Sequence, residues 1–269
     1  MSMSNVFLRM WRRIYRIPLI FLWALWFGFY SLFFVLPRKE RVRLMAQLTQ
    51  KWGKGLARLF SMELHIHGDV EKYKQNGGLV VSNHLGYLDV LVHAAAFGLR
   101  FTPKKEIRSW PVFGWYTALA QVIWIDRTSP QKSKETLAQF RETLKNKIPL
   151  IVYPEGTSTD GRSGLLRFKT TSFEAVAETD IPVQPVLTFY RWNEKKDINP
   201  AWYGDVLFAP HLWQVLGNGK VICDLYLLDL YYPPAGANRK QIANEVYEIM
   251  NKEYQLRLSE ITEKGNISK

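Results

Sequence analysis

Residues 79–90 read LVVSNHLGYLDV, and the fold turns on how this stretch is read. Leu79-Val80-Val81-Ser82 is a short apolar run, the pattern of a strand buried on both faces. From Tyr87 to Phe97 the spacing becomes helical. A strand that passes into a helix is one half of a βα unit. His84 and Asp89 stand at the junction, with Gly86 between them to ease a turn. If the chain does turn there, the carboxylate reaches one ring nitrogen and fixes the tautomer, leaving the other nitrogen to take a proton. On spacing alone, the plainer reading of a loop histidine and a helix residue carries more weight.

The alternation continues downstream. Gln121–Ile125 is expected as a second strand and Leu150–Tyr153 as a third, with further strands at Val183–Tyr190 and Val221–Tyr231. Ser129-Pro130 is a helix start, with a serine cap and a proline in the first turn. The helix it opens carries Leu137, Phe140, Leu144 and Ile148 on one face. Ser172–Glu178 reads as another helix. Arg239–Leu258 reads as a closing amphipathic helix through Ile242, Val246, Ile249 and Met250. Strands alternating with helices make an α/β domain.

Upstream, Glu63–Gly78 is a break that ends on the turn pair Gly77-Gly78. Before it, Ile17–Leu36 runs without a charge and as a helix would be about 30 Å long, the thickness of a bilayer core. It is longer than a signal-peptide core and lacks a small-residue cleavage site after it, so an uncleaved anchor is the reading taken. Arg9, Arg12, Arg13 and Arg16 precede it, and Arg38, Lys39, Arg41 and Arg43 follow it. Charge on both flanks fits a segment that dips into one leaflet and returns, with Gly28 as a place to bend; a straight single span stays open. Arg41–Phe60 is basic and amphipathic, and is expected to lie in the membrane interface rather than on the core. The chain is thus divided into an anchor with its basic helix at residues 1–60 and a main domain at 61–269.

Composition agrees with a lipid setting. Of 269 residues, 47% are hydrophobic, enough for a sizeable core, and the net charge of +12 asks for an anionic partner. The 10 Trp and 13 Tyr favour a membrane–water boundary among such partners. The one cysteine, Cys223, rules out an internal disulfide, and its place in an apolar alternating run makes it a buried structural thiol.

A second segment, Tyr153-Pro154-Glu155-Gly156-Thr157-Ser158-Thr159-Asp160-Gly161, follows a strand and is rich in turn formers. Its amides and hydroxyls suit an anion, and Glu155 suits either a substrate hydroxyl or the ordering of the loop. Taken with Asn83, His84 and Asp89, it resembles the glycerolipid acyltransferase family, which includes the 1-acylglycerol-3-phosphate acyltransferases. The family's Asn-His-x4-Asp motif is Asn83, His84 and Asp89. Its second motif region matches Lys104-Lys105-Glu106-Ile107 and Trp110–Trp115, leading to Ile125-Asp126-Arg127. Its Pro-Glu-Gly-Thr motif is Pro154–Thr157, followed by Phe168-Lys169, and its apolar proline-bearing motif is Ile181–Val186. All four motifs stand in the family's order over roughly residues 60 to 190.

The resemblance implies a glycerolipid-acyltransferase-like mixed sheet flanked by helices. It also implies transfer of an acyl chain from acyl-CoA or acyl-acyl-carrier protein to the free hydroxyl of a lysophospholipid. His84 is then the general base and Asp89 its orienter; no bound cofactor and no metal are implied. Asn83, Glu155, Gly156, Thr157 and Ser158 are expected at the acceptor. Lys104 and Arg127 are candidate cations for an acidic headgroup, with Lys105, Arg162 or Lys169 as replacements where the family's own cation is missing. Many phosphatidate-forming members carry arginine directly after Glu-Gly-Thr. Here Ser158 stands in that place, and Ser158-Thr159-Asp160-Gly161 is more like a bacterial subgroup that includes lyso-ornithine-lipid acyltransferases. The expected location is a membrane (the inner membrane, if bacterial), with the active site on the cytoplasmic face.

Two rivals share the composition. A nucleic-acid binder would use the basic excess, but much of that charge flanks the apolar run and no zinc-finger or RNA-binding signature is present, so no nucleic-acid partner is expected. A metalloenzyme would gather His65, His67, His84, Asp89 and His93, although His65 and His67 alternate along a likely strand and read as a surface pair.

Overall fold

Five strands form one mixed sheet in a computed structural model of the chain, which describes residues 3–32, 37–71, 73, 78–110, 113–126, 129–194 and 198–263. They are β1 (Met62–His67), β2 (Leu79–Ser82), β3 (Leu150–Val152), β4 (Val183–Trp192) and β5 (Val221–Leu227), in the order β1-β5-β4-β2-β3. The β1–β5, β4–β2 and β2–β3 pairs are parallel and β4–β5 is antiparallel. The helices are α1 (Met3–Leu32), α2 (Arg38–Leu59), α3 (Leu88–Phe97), α4 (Phe113–Leu119), α5 (Pro130–Lys145), α6 (Phe208–Gly217) and α7 (Arg239–Glu263).

Strand alternation divides the core between the two sheet faces. Val80, Ile151, Val186, Cys223 and Leu225 face α2 and α3, while Leu79, Val81, Val152, Leu187 and Phe189 face α5 and α7. Cys223 is fully buried, and burial pushes its thiol pKa up, as suits a structural role. Ser129 caps α5 by accepting from the Lys132 amide at 3.2 Å, with Pro130 at the first position.

Several boundaries differ from the expectations. Gln121–Ile125 joins no ladder of the main sheet. It leaves α4 through Gln121, whose φ is 56°, and pairs instead with the segment before it, Ile123 N to Phe101 O at 3.0 Å and Ile125 N to Pro103 O at 2.9 Å. Ser172–Glu178 supplies one 3-10 turn, Thr170–Ala175, where two threonines and a serine give little helical preference. The stretch expected as a break opens with β1, which is the strand expected for His65 and His67, and α6 was not anticipated. In α7 the buried stripe is Ile242, Val246, Met250 and Tyr254, at strict i, i+4 spacing, so Ile249 falls on the exposed side.

The N-terminal helices also depart from expectation. α1 passes through Pro18 and Gly28 as one helix with no break at Gly28. A Cβ there would lie 3.1 Å from the Trp115 ring, so the glycine serves packing rather than bending. α1 lies lengthwise on the domain. Arg13 Nε donates to Trp213 O at 2.9 Å, Arg16 Nη1 to Leu216 O at 2.9 Å, Trp23 Nε1 to Trp52 O at 3.2 Å, and the Phe27 ring sits 5.6 Å from that of Tyr116. The opposite flank is apolar and bare, from Phe7 through Trp11 and Leu22 to Phe29. Residues Asn5–Ser31 are long and apolar enough to cross a membrane. Helix α2, expected at the membrane interface, packs its apolar face onto α3 instead: Val42, Met45, Leu56 and Ala57 are buried while Lys51, Lys54 and Arg58 stay exposed.

Candidate functional site

Parallel neighbours deliver their C-terminal ends side by side, and in open α/β sheets that edge is where ligands bind. β2 and β3 are such neighbours, so the loop after Ser82 and the loop after Val152 emerge together. Three bonds tie the loops: His84 N donates to Glu155 Oε1 at 2.9 Å, and Thr159 donates to His84 O from its N at 2.8 Å and its Oγ1 at 3.4 Å. β4, on the other side of β2, runs on past the point where β2 ends, so Thr188 and Tyr190 border the His84 loop.

Asn83 continues the ladder with its side chain. Its Nδ2 donates to Thr188 O at 2.9 Å and its Oδ1 accepts from Thr188 N at 2.8 Å. The amide is therefore spent on backbone, and Asn83 is fully buried. The chain then turns at Gly86, whose φ is 127° and where a Cβ would meet the Trp202 carbonyl at 2.9 Å, so only glycine fits there. That turn brings Asp89 Oδ2 to 2.6 Å from His84 Nδ1.

Asp89 is wholly buried but fully partnered. Oδ2 also accepts from Leu85 N at 2.6 Å and Gly86 N at 3.1 Å, and Oδ1 accepts from the Tyr190 hydroxyl at 2.7 Å. Burial, reinforced by the Asp89 charge, holds the Tyr190 phenol far above its usual pKa, so it remains a donor. The His84 ring stacks on Tyr153 at 4.3 Å and its side chain is 26% exposed; among the described residues its Nε2 has no hydrogen-bond partner. Beneath it, His93 Nδ1 lies 2.9 Å from the Tyr153 hydroxyl and His93 Nε2 lies 3.1 Å from Thr188 Oγ1. Burial lowers the His93 pKa to about 4, so it is neutral at physiological pH. The result is one rigid, one-sided imidazole: a carboxylate behind, an aromatic face beside it, and one nitrogen open.

Glu155 is 3% exposed, and its two oxygens bind the backbone amides of His84 and, at 2.9 Å, Leu166. Burial raises its pKa despite those two bonds. Those two bonds order the loop. Gly156 takes a left-handed φ of 74° with the Lys169 side chain laid against it; Thr157 is exposed beyond it and Ser158 half-buried. Lys105 pairs with Asp126 at 3.1 Å, and Lys104 stands exposed at its bridge to Ile125. Arg127 lies outside the described residues. The fold thus joins Asn83, His84, Asp89, Glu155, Gly156 and Lys169 into one constellation. The segment of Lys104 and Lys105 reaches it through Trp110, whose ring is 5.9 Å from Phe208, itself 5.2 Å from Tyr87.

Tyr190 and Thr188 were not singled out; Tyr153 was read only as the start of its loop, and His93 only as a possible metal ligand. The signal for the first two was a polar pair, two residues apart, one inside and one just after the apolar stretch Val186–Phe189 of β4. Among the described residues no three His, Cys, Asp or Glu side chains are grouped as metal ligands. His65 and His67 of β1 are engaged by Asp224, at 3.4 and 3.0 Å.

Comparison with known proteins finds similar chains. The chain is 37% identical over 153 residues to a lyso-ornithine lipid O-acyltransferase of Rhodobacter capsulatus, covering 54% of each protein. It is 29% identical over 170 residues to a 1-acyl-sn-glycerol-3-phosphate acyltransferase of Neisseria gonorrhoeae, covering 63% of this chain and 66% of that one. The chain thus spans between half and two thirds of the length of these relatives. Its fold is that of PlsC, the 1-acyl-sn-glycerophosphate (LPA) acyltransferase of Thermotoga maritima, with a TM-score of 0.65 over 99% of this chain and 98% of that one at 21% identity. The sequence profile of the acyltransferase family matches residues 63–188, which hold both loops described above.

Proposed function

We propose that this chain is an O-acyltransferase that moves a fatty acyl group from a thioester, acyl-CoA or acyl-acyl-carrier protein, to the free hydroxyl of a lysolipid. The observation that carries the reading is the 2.6 Å contact between His84 Nδ1 and Asp89 with Nε2 left open. Asp89 holds the Nδ1–H tautomer, and Nε2 takes the proton from the acceptor hydroxyl as its oxygen attacks the thioester carbonyl. Collapse of the tetrahedral intermediate breaks the C–S bond, and the imidazolium returns the proton to the thiolate. The products are an ester and a free thiol, and no enzyme nucleophile or bound cofactor enters the balance. Backbone amides of the loop at Gly156–Ser158 are the candidate donors for the oxyanion.

Lyso-ornithine lipid is the acceptor reading favoured by Ser158, which stands where phosphatidate-forming members carry arginine, and by the Rhodobacter relative. Lysophosphatidate is the second reading, supported by the Neisseria relative; Lys169 beside Gly156 would then meet the phosphate. The bare flank of α1 is read as lying in the lipid of one leaflet, because its other flank is committed to the domain along its length. The active site is placed at the cytoplasmic face, where the thioester donors are.

The test is a labelled acyl donor offered against a panel of lysolipids that includes both acceptors. The wild-type protein is expected to acylate at least one. His84→Ala is expected to lose about 10²–10⁴-fold in rate while its melting curve is kept. Full turnover by that folded variant removes the proposed base.

A further inference from the structure

The segment from Ala201 to Gly217 faces two ways. Its inner side covers the His84 loop: Trp202 N donates to Leu85 O at 2.7 Å, and the Tyr87 hydroxyl lies 3.1 Å from His211 Nδ1. Its outer side is apolar and uncovered. Leu207 is 71% exposed, and Val206 and Trp213 stand out beside it. A groove of about 380 Å³ opens next to Leu207, lined by Ile198, Tyr203, Val206 and Pro210, with His211 in its wall. Asp205 is the one carboxylate between Asn199 and Cys223.

This outer side continues the bare flank of α1. Arg13 of α1 donates to Trp213 O and lies over the Trp213 ring, its guanidinium carbon 4.5 Å from the centroid. Arg12 reaches Gly217 O at 3.5 Å, and Arg16 reaches the carbonyls of Leu216 and Asn218. Three arginines thus satisfy the last carbonyls of α6 and fix the two helices together. Arginine beside exposed tryptophan, with a bulky aliphatic residue at full stretch nearby, is the chemistry of an interface with anionic lipid.

We infer that the 203–213 segment is a second membrane-contacting surface, which seats the His84 side of the domain on the surface of an anionic bilayer. The inference rests on the reading that the bare flank of α1 lies in lipid. It adds that contact is made at two places, so that the segment covering the His84 loop is itself at the lipid boundary and the acceptor enters from the bilayer without crossing water.

Cys223 is the only native cysteine and is fully buried, so Leu207→Cys takes a single nitroxide label in the full chain. The same label is placed at Leu22 on α1 and at Lys252 on α7, on the opposite face of the sheet. On adding vesicles of phosphatidylglycerol and phosphatidylethanolamine, labels at 207 and 22 are expected to lose collisions with a water-soluble nickel chelate and gain them with oxygen. The label at 252 is expected to be unchanged. Leu207→Asp is expected to slow turnover of vesicle-borne acceptor and to leave turnover of detergent-dispersed acceptor as it was. Immersion at 22 with 207 still open to the chelate overturns the second contact and leaves the α1 reading standing. Chelate access kept at both positions overturns the two together. Chelate access already lost at 207 without vesicles, in a protein that sediments as a dimer, assigns the surface to a second copy and overturns the proposal.

Discussion

A buried carboxylate is costly unless every lone pair is matched, and Asp89 is matched by an imidazole, two amides and a phenol. The phenol is the partner that mutation removes most cleanly. Tyr190→Phe keeps the ring in the core and deletes one charge-assisted bond of about 1.5–3 kcal/mol. If the carboxylate works by holding His84, kcat falls by about tenfold or more while KM holds, because the loss falls on the orienting group and not on the acceptor. Steady-state kinetics separate the two; a raised KM with unchanged kcat assigns Tyr190 to packing around the acceptor. His93 sets a different limit. Its folded pKa of about 4 lies below the ordinary 6.5, so between these values the unfolded chain holds a proton that the folded one rejects. Stability is whole above pH 6.5 and is lost as pH falls toward 4, by up to about 3 kcal/mol. Denaturant titrations across that window read the slope, and His93→Gln is expected to flatten it.

At the scale of elements, the site exists because β2 and β3 are parallel neighbours and their loops are stitched together, in part by the Glu155 carboxylate. Glu155→Gln keeps shape and one acceptor oxygen but turns an amine toward either the His84 or the Leu166 amide. A buried amide left unmatched costs about 1–3 kcal/mol. The melting temperature should drop by about 2–4 °C per kcal/mol, with turnover falling alongside as the His84 loop loosens. Differential scanning calorimetry with a parallel assay checks this; an unchanged melting temperature removes the stitch. Such elements were legible where one strong local signal decided them. The apolar run 79–82 and the Ser129-Pro130 cap were read from a few residues, whereas Gly86 marked only where a turn between His84 and Asp89 could form, and spacing alone favoured a plain loop histidine. What was not legible depended on partners distant in sequence. Gln121–Ile125 has strand-like residues, but its neighbour is the 101–104 segment instead of the sheet. Asn83 reads as a polar loop residue until β4 arrives about a hundred positions later and absorbs both ends of its amide. Tyr190 is invisible as an orienter for the same reason: nothing within β4 shows that Asp89 lies beneath it. The amphipathic pattern of α2 was read correctly as a helix, but the pattern could not say whether lipid or α3 covers the apolar face.

For the whole molecule, the question is why a helix with one bare apolar flank should be clamped to the α/β domain along its other side. A freely spanning helix would leave the domain to tumble on a tether. On the reading proposed above, in which its bare flank lies in lipid, a clamped α1 would hold the domain, and the site with it, at a fixed height and tilt on the membrane. The clamp is specific at Gly55, where the α1 residue Trp23 fills the space a Cβ would need. Gly55→Val therefore forces the Trp23 ring off α2, an overpacking of about 1–3 kcal/mol. The apolar flank of α1 is untouched by this change, so the variant should still float with vesicles and still resist a high-salt wash. What it should lose is orientation. Turnover of a lysolipid carried in vesicles is expected to fall more than turnover of the same lysolipid in detergent micelles, where any orientation of the site can meet a substrate. Equal losses in the two settings would mean that the substitution damages the catalytic domain itself. No loss in vesicles would mean that the clamp does not set the height of the site, and that α1 acts only as a tether.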